Sequence, residues 1–354
     1  MPVIFINETT IIRMSELSVA VVILNWNGKS LLEKFLPGVC RSVYPNLQIV
    51  LGDNASTDDS VSYVRENYPL IRIIENDRNY GFAEGYNQIL NHVTADYLVL
   101  LNSDVEVPEN WIEPVIKAME SDLIIAAAQP KIKWQKDKTQ FEYAGAAGGF
   151  LDRNGFPFCQ GRIFDQIEFD LGQYEAEREI FWASGAAFFI KSHYWKLSGG
   201  LDPDLFAHME EIDLCWRLKN MGLKVIYCPQ AEVYHVGGAT LDAKNPYKAY
   251  LNFRNNLMIM QKNLPLAEVP FALFIRMSLD FIAWLQFAAK GEFRFSAAVS
   301  KAHFEFLKQL RRTASKRAGT QFPFSRHTGV YPGSIVWAFF IQGLKKFTAL
   351  KSFR

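Results

Sequence analysis

Two carboxylates, an imidazole and a row of amides stand in this chain where short apolar runs give way to polar turns. The run Tyr97-Leu98-Val99-Leu100-Leu101 ends in Asn102-Ser103-Asp104, which places an amide and a carboxylate where a buried strand stops. Oxygen donors there suit a hard divalent cation, Mg²⁺ or Mn²⁺, that keeps open positions for phosphate oxygens. Such an Asp equally serves as a turn or helix-capping residue. Asp53 closes a second apolar run inside Asp53-Asn54-Ala55-Ser56-Thr57-Asp58. Its carboxylate can accept the N3–H of uracil or thymine, or it can simply close an Asx turn. Glu210, Glu211 and Asp213 crowd the start of a helical pattern. Clustered carboxylates raise one another's pKa toward the range of a general base, although a helix dipole by itself also favours acids in a first turn. His235, just before Gly237-Gly238, offers a neutral imidazole as a second donor for a cation at Asp104, and Trp182 offers a flat wall for an acceptor.

The elements that must position these groups alternate strand and helix. Val19–Leu24 is a continuous β-branched apolar run, the pattern of a parallel strand buried on both faces, and a helix is expected over Ser30–Val39. A strand over Leu47–Leu51, a helix near Asp59–Asn67 and a short strand at Ile71–Ile74 follow. After the segment Asn79-Tyr80-Gly81-Phe82-Ala83-Glu84-Gly85 comes a helix to about His92, then the strand that ends at Asn102. This alternation is that of an α/β sheet whose ligand crevice lies at the carboxyl ends of the strands, where every polar cluster above is found. No GxxxxGK[ST] and no GxGxxG occurs, so neither a P-loop nor a dinucleotide fingerprint is present. The stretch from Gln129 to Glu179 is mixed and glycine-rich, with strands and long loops expected.

At 354 residues, 49% of them hydrophobic and 28 of them Phe, the chain can bury one large core or two ordinary ones. The net charge of +1 hides a split: residues 290–354 carry 13 Lys and Arg against Glu292 and Glu305 alone, leaving an acidic body. A basic tail interleaved with Phe, Leu and Trp points to an anionic membrane surface, and no nucleic-acid module is recognisable. Pro265–Ala289 is long enough to span a bilayer, but Arg276 and Asp280 near its middle favour a helix lying on a membrane or packed on the body. Ser334–Phe347 is a second stretch of that kind. The four cysteines are scattered without a CxxC pair, as free thiols in a reducing cytosol would be, and Met1–Ser15 does not read as a signal peptide.

Together the motifs Val21-Val-Ile-Leu-Asn-Trp-Asn-Gly28, Asp53-Asn-Ala-Ser-Thr-Asp58, Asn79–Gly85 with Asn87, Leu101-Asn-Ser-Asp104, Gly199-Gly-Leu-Asp202, Glu210–Arg217 and His235-Val-Gly-Gly238 resemble family 2 glycosyltransferases, close to the bacterial rhamnosyltransferase-like branch. The resemblance implies a GT-A fold: α/β, a Rossmann-like mixed and mostly parallel sheet flanked by helices. Residues 18–256 would form it, after an extension over 1–17 and before a basic, amphipathic helical region over 257–354. It implies inverting transfer of a sugar from a dTDP- or UDP-sugar, dTDP-rhamnose among them, to a glycan or lipid-linked acceptor in cell-surface polysaccharide synthesis, at the cytoplasmic face of the membrane.

The same resemblance assigns Asn25, Asn27, Asp53, Asn54, Asn79, Gly81, Asn87, Asn102 and Ser103 to the nucleotide, and Asp104 with His235 to Mn²⁺ or Mg²⁺. Trp182, Ser184, Gly185, Asp213 and Arg217 fall to the sugar and acceptor pocket, and Glu211 is preferred to Glu210 as base. Asn102 replaces the Asp common at the first position of the metal motif, which makes it a ribose contact rather than a ligand. A nucleotidyltransferase of related fold, or a non-catalytic sugar-binding membrane scaffold, are the competing readings. The first usually shows a glycine-rich loop with a basic residue, where this chain has Asn25-Trp26-Asn27-Gly28.

Overall fold

The amino-terminal part alternates as its apolar runs dictate: β1 (Val19–Asn25), α1 (Lys29–Cys40), β2 (Leu47–Asp53), α2 (Ser60–Asn67), β3 (Arg72–Glu75), α3 (Gly81–Leu90) and β4 (Tyr97–Asn102). Then come β5 (Val105–Glu106), α4 (Glu113–Glu120), β6 (Ile125–Trp134), β7 (Asp137–Phe141), and the short strands β8 (Gly149–Asp152), β9 (Pro157–Cys159), β10 (Arg162–Ile163), β11 (Gln166–Ile167) and β12 (Arg178–Ile180). The chain continues through β13 (Ala187–Lys191), α5 (Ser192–Ser198), α6 (Glu210–Asn220), β14 (Lys224–His235), α7 (Pro246–Asn263), α8 (Val269–Ala289), α9 (Phe293–Ser315), β15 (Val330–Tyr331) and α10 (Ile335–Phe340). This computed structural model describes residues 16–237 and 245–350, so Gly238 and most of the expected extension over 1–17 lie outside the described residues.

The main sheet runs β3-β2-β1-β4-β13-β6-β14-β12, with β3, β2, β1 and β4 mutually parallel. Alternate residues of β1 go to opposite faces: Ala20 and Val22 join one apolar cluster, Val19, Val21 and Ile23 the other. β4 divides likewise, Leu98 and Leu100 against Tyr97, Val99 and Leu101. Burial on both faces is why these strands read as continuous apolar runs. The strand order reverses between β1 and β4, which opens a crevice outside their carboxyl ends. A smaller sheet, β11-β10-β9-β8-β15, is built from the glycine-rich middle of the chain with β15 added from its carboxyl-terminal part.

One pairing decides the site. β5 lies antiparallel to the end of β14, with Val105 opposite His235, and the Val236 N–H donates to the Asp104 carbonyl at 3.1 Å. Asp104 and His235 are thereby brought side by side.

The boundary expected at residue 256 falls inside α7, whose Asn255, Asn256 and Leu257 are all fully buried. The chain beyond it is woven into the body rather than appended. β15 pairs parallel with β8, and the Phe347 ring lies 4.8 Å from Phe150 and 6.1 Å from Phe158. Lys262 on α7 reaches Asp202 at 2.7 Å and Asp213 on α6 at 2.8 Å. The physical reason is plain: a sheet edge and a cluster of rings need covering, and the aromatic carboxyl-terminal residues supply the cover.

Candidate active site

The crevice at the ends of β1 and β4 is lined on one side by Asn25, Trp26, Asn27, Asn54, Asn79, Gly81, Asn102 and Ser103. Much of this rim is amide braced against amide. Asn54 Nδ2 donates to Asn79 Oδ1 at 2.9 Å, and Asn79 Oδ1 also accepts the Gly81 N–H at 2.8 Å. Asn27 Oδ1 accepts the Thr57 N–H at 2.7 Å, which fastens the first loop to the second. Asn25 sends its Nδ2 to Asp53 at 2.9 Å and to Ser60 at 2.9 Å, while its Oδ1 has no hydrogen-bond partner among the described residues. A Cβ on Gly28 would sit 2.4 Å from that buried oxygen, so only glycine leaves room for the Asn25 amide in this position.

Asp53 does not line the crevice. It is buried, accepting Asn25 Nδ2, the Ser56 N–H at 2.8 Å and Ser56 Oγ at 2.6 Å. This is the Asx turn, which organises the rim from beneath. Asn87 is also withdrawn, donating to the Leu201 carbonyl at 2.8 Å and accepting its N–H at 3.0 Å.

Across from the amides stand Asp104 and His235, both buried, with Oδ1 and Nε2 3.1 Å apart. Adjacent octahedral donors at about 2.1 Å from an ion lie about 3 Å apart, so the pair fits a divalent cation with the remaining positions open. Glu142, with no regular spacing to mark it in the sequence, stands behind: its Oε1 lies 3.4 Å from His235 Nδ1, and its Oε2 accepts the Ala144 N–H. A carboxylate on the far nitrogen of a ligating His is the usual means of fixing its tautomer and orientation. Burial would lower the imidazole pKa, but the Glu142 and Asp104 carboxylates outweigh it and raise it to about 10.

Glu210 and Glu211 also line the crevice, at the start of α6. They are no solvated first turn: Glu210 is 4% exposed. Burial raises the Glu211 carboxyl to about 7, with the nearby Gly185 N–H pulling the other way. Burial, and then Glu211 itself, pushes Glu210 well above the usual carboxylate range. A Cβ at Gly185 would lie 4.0 Å from Glu211 Oε1 and 3.3 Å from Phe82. Ser184 donates its hydroxyl to the Ala144 carbonyl and lines the same wall. Trp182 lies there too, 4% exposed, its indole N–H on the Phe150 carbonyl at 3.1 Å. Only a glycine at position 149 admits that ring, since a Cβ there would lie 2.1 Å from it.

The two other expected pocket residues are elsewhere. Asp213 is fully buried between Arg217 Nε at 2.8 Å, Lys262 and Asn263 Nδ2 at 2.8 Å, and Arg217 also binds the Ser198 and Gly200 carbonyls. Burial would raise the Asp213 carboxyl, yet Lys262 and Arg217 hold it below its ordinary range. Helical period turns positions 213 and 217 away from the face that carries Glu211.

The loop before α6 was not legible as part of the site. Phe206, His208 and Met209 all have left-handed φ, of 64°, 67° and 74°. Such residues cost about 1–3 kcal/mol each and need outside support. Asn255 on α7 supplies it: its Nδ2 donates to the carbonyls of Leu205, Ala207 and His208 at 2.9, 3.0 and 2.7 Å. Arg254 adds bonds to the Asp204 and Leu205 carbonyls. The ring of Phe206 in turn covers Gly81, where a Cβ would meet it at 2.5 Å.

Residues 20–184 match the model of glycosyl transferase family 2. An N-acetylglucosaminyl-diphospho-decaprenol L-rhamnosyltransferase of Mycobacterium tuberculosis is 24% identical over 238 residues, 61% of this chain and 75% of that protein. A probable polypeptide N-acetylgalactosaminyltransferase 8 of Homo sapiens is 23% identical over 63% of this chain and 36% of its own. Among solved structures, GalNAc-T7 with UDP, GalNAc and Mn²⁺ superposes with a TM-score of 0.54 at 18% identity, over 70% of this chain and just under half, 48%, of that one. The mannosyltransferase PcManGT of Pyrobaculum calidifontis with GDP-Man and Mn²⁺ gives 0.51 at 16% identity, over 82% and 87%. The fold is of the GT-A type. More narrowly, residues 20–184 form a family 2 glycosyltransferase domain, similar to that of a rhamnosyltransferase.

Proposed function

We propose that the protein is an inverting, metal-dependent transferase that moves a sugar from a dTDP- or UDP-sugar to a hydroxyl of a lipid-linked glycan during cell-envelope polysaccharide synthesis. The observation that carries the reading is the buried Asp104–His235 pair, 3.1 Å apart in the same crevice as Glu211. Asp53 supports the pyrimidine side of the crevice by fixing Asn25 beneath the rim. Asn102 and Ser103 border the ribose. Asp104 and His235 would hold Mn²⁺ or Mg²⁺, with Glu142 setting the imidazole. When bound, that cation offsets the charge gathering on the departing nucleoside diphosphate. Glu211, near 7, takes the proton of the acceptor hydroxyl as its oxygen bonds to the anomeric carbon, while the bond to the diphosphate breaks with its electron pair on the leaving group. Glu210, held protonated, stands beside it without competing for that proton.

Two features support work at the membrane. The relative named for a decaprenol-linked sugar is a lipid-acceptor enzyme by its name. In addition, α8 is long and apolar enough to cross a bilayer, yet only 11% of its apolar window is buried. Its charges are turned inward, Arg276 Nε on Asp280 at 2.9 Å and His303 on Asp280 at 3.2 Å, which leaves an uncharged exterior, apolar but for Ser278 and Gln286, for lying on an anionic leaflet at the cytoplasmic face. A panel of dTDP- and UDP-sugars with Mn²⁺ tests the reading: turnover is expected with one of them and lost in Asp104→Ala and Glu211→Ala. Undiminished turnover in folded Glu211→Ala ends the assigned base.

A further inference from the structure

The crevice does not stop at the sugar. It continues as one cavity of about 2950 Å³ into a groove between α8 and α10. Sites for small ligands run to about 300–1,000 Å³, so a nucleotide sugar leaves most of this space unfilled. One wall of the extension is Ile275, Leu279 and Ile282, spaced as one helical face; the other is Trp337, Phe340 and Ile341. These last three are 57%, 54% and 64% exposed, although they are large and apolar. A glycan needs hydrogen-bond partners for its hydroxyls; these six side chains offer one indole N–H, and Gln286 and Gln342 are the neutral polar groups beside them. Arg276, stacked 3.7 Å from the Phe156 ring centroid and paired with Asp280, is neutralised within the wall.

A separate face of α8 carries Phe274, Phe281 and Leu285, exposed by 68%, 55% and 48%, and none of them lines the groove. The helix is therefore apolar on two sides for two purposes: an outer ridge that can lie in a leaflet, and an inner wall that continues the catalytic crevice. Resting on the reading of a lipid-linked acceptor, we propose that the groove holds the polyisoprenoid chain of that acceptor, drawn in from the membrane between α8 and α10 so that its sugar hydroxyl reaches Glu211. Continuity with the crevice selects this occupant over a second copy of the chain or a bystander phospholipid, because only the acceptor must be present at Glu211 and in the membrane at once.

The test uses the full chain and a fluorescent geranylgeranyl diphosphate analogue, followed by anisotropy. Binding should weaken at least tenfold in Ala283→Trp, which fills the groove, and in Ile282→Ser, which removes part of its wall at an exposed position that tolerates substitution. It should change less than twofold in the outer-ridge variant Phe281→Ser/Leu285→Ser, and geranyl diphosphate should compete at least tenfold more weakly than the longer chain. Equal affinity in wild type and both groove variants overturns the proposal. So does a loss confined to the ridge variant, which would place the lipid on the outer face, or equal competition by inorganic diphosphate, which would place recognition in the head group. A protein that binds the probe in this pattern but turns over no nucleotide sugar refutes the enzymatic reading alone; one that turns over donor without the pattern refutes the groove alone.

Discussion

Asn255→Ala is the substitution that most directly asks whether the loop before α6 positions the base. The change removes three hydrogen bonds, to Leu205, Ala207 and His208, at a fully buried position. The amide has two N–H donors to share among these three carbonyls, so at about 1 kcal/mol net for each donor the loop loses about 2 kcal/mol of support. Against that stand three left-handed residues, Phe206, His208 and Met209, at about 1–3 kcal/mol each, so relaxing one of them recovers part of the support lost. Relaxation of Met209 moves the start of α6, and with it Glu211. A displacement of about 1 Å at a reacting group costs about 10²-fold in rate. The expected result is a kcat near one-hundredth of wild type with the KM for the nucleotide sugar little changed, and a Tm lower by about 5 °C. Steady-state kinetics with the best donor, beside a thermal melt, decide it. A variant with the lowered Tm and a wild-type kcat refutes the positioning role. Asn255→Asp, similar in shape but without donors, should behave as the Ala variant does.

Three further outcomes follow from the same geometry. Because Glu211 must be deprotonated to act and burial raises it to about 7, kcat should rise with pH through that value. A folded pKa above the ordinary 4.5 also means that stability from this group is present at low pH and lost as pH climbs through about 7. Glu211→Gln should therefore be inactive yet melt higher than wild type at pH 8; a lower melt there contradicts the assigned burial. Glu142→Gln should weaken Mn²⁺ retention in the presence of nucleotide by about 10–100-fold, read by the electron paramagnetic resonance of free Mn²⁺, while Glu142→Asp keeps part of it. Lys262→Met leaves Asp202 and Asp213 buried without their shared cation and should cost about 3–5 kcal/mol in urea denaturation.

What the sequence revealed, and what it hid, follows from how far apart the partners lie. β1 and β4 were legible because burial on both faces leaves a local signature, an unbroken apolar run. Asn102, Ser103 and Asp104 were legible because a strand end is a local event too. α7 was not: its buried face carries Arg254, Asn255, Asn256, Gln261, Lys262 and Asn263, residue types whose patterning normally marks a solvent-facing helix. Their burial makes sense only once the loop carbonyls and carboxylates they satisfy are in place. Glu142 was hidden for the same reason, since nothing nearby in sequence ties it to His235. Asp213 and Arg217 were misplaced by proximity, which says nothing about which side of a helix turns to the crevice. Asp53 was legible as a strand-end carboxylate, while its bonds to Asn25 and Ser56 show only in the fold.

The β5–β14 pairing also governs when the enzyme comes into being. Asp104 and His235 are 131 residues apart. At about 5–20 residues per second, a ribosome takes roughly 7–26 s to deliver the second after the first. Through that interval β1 to β4 can pair among themselves, since their strands and crossover helices are all made, but the cation pair cannot form. The nascent protein therefore passes through a stage with β1 to β4 paired and the Asp104–His235 pair absent, until the last long strand docks.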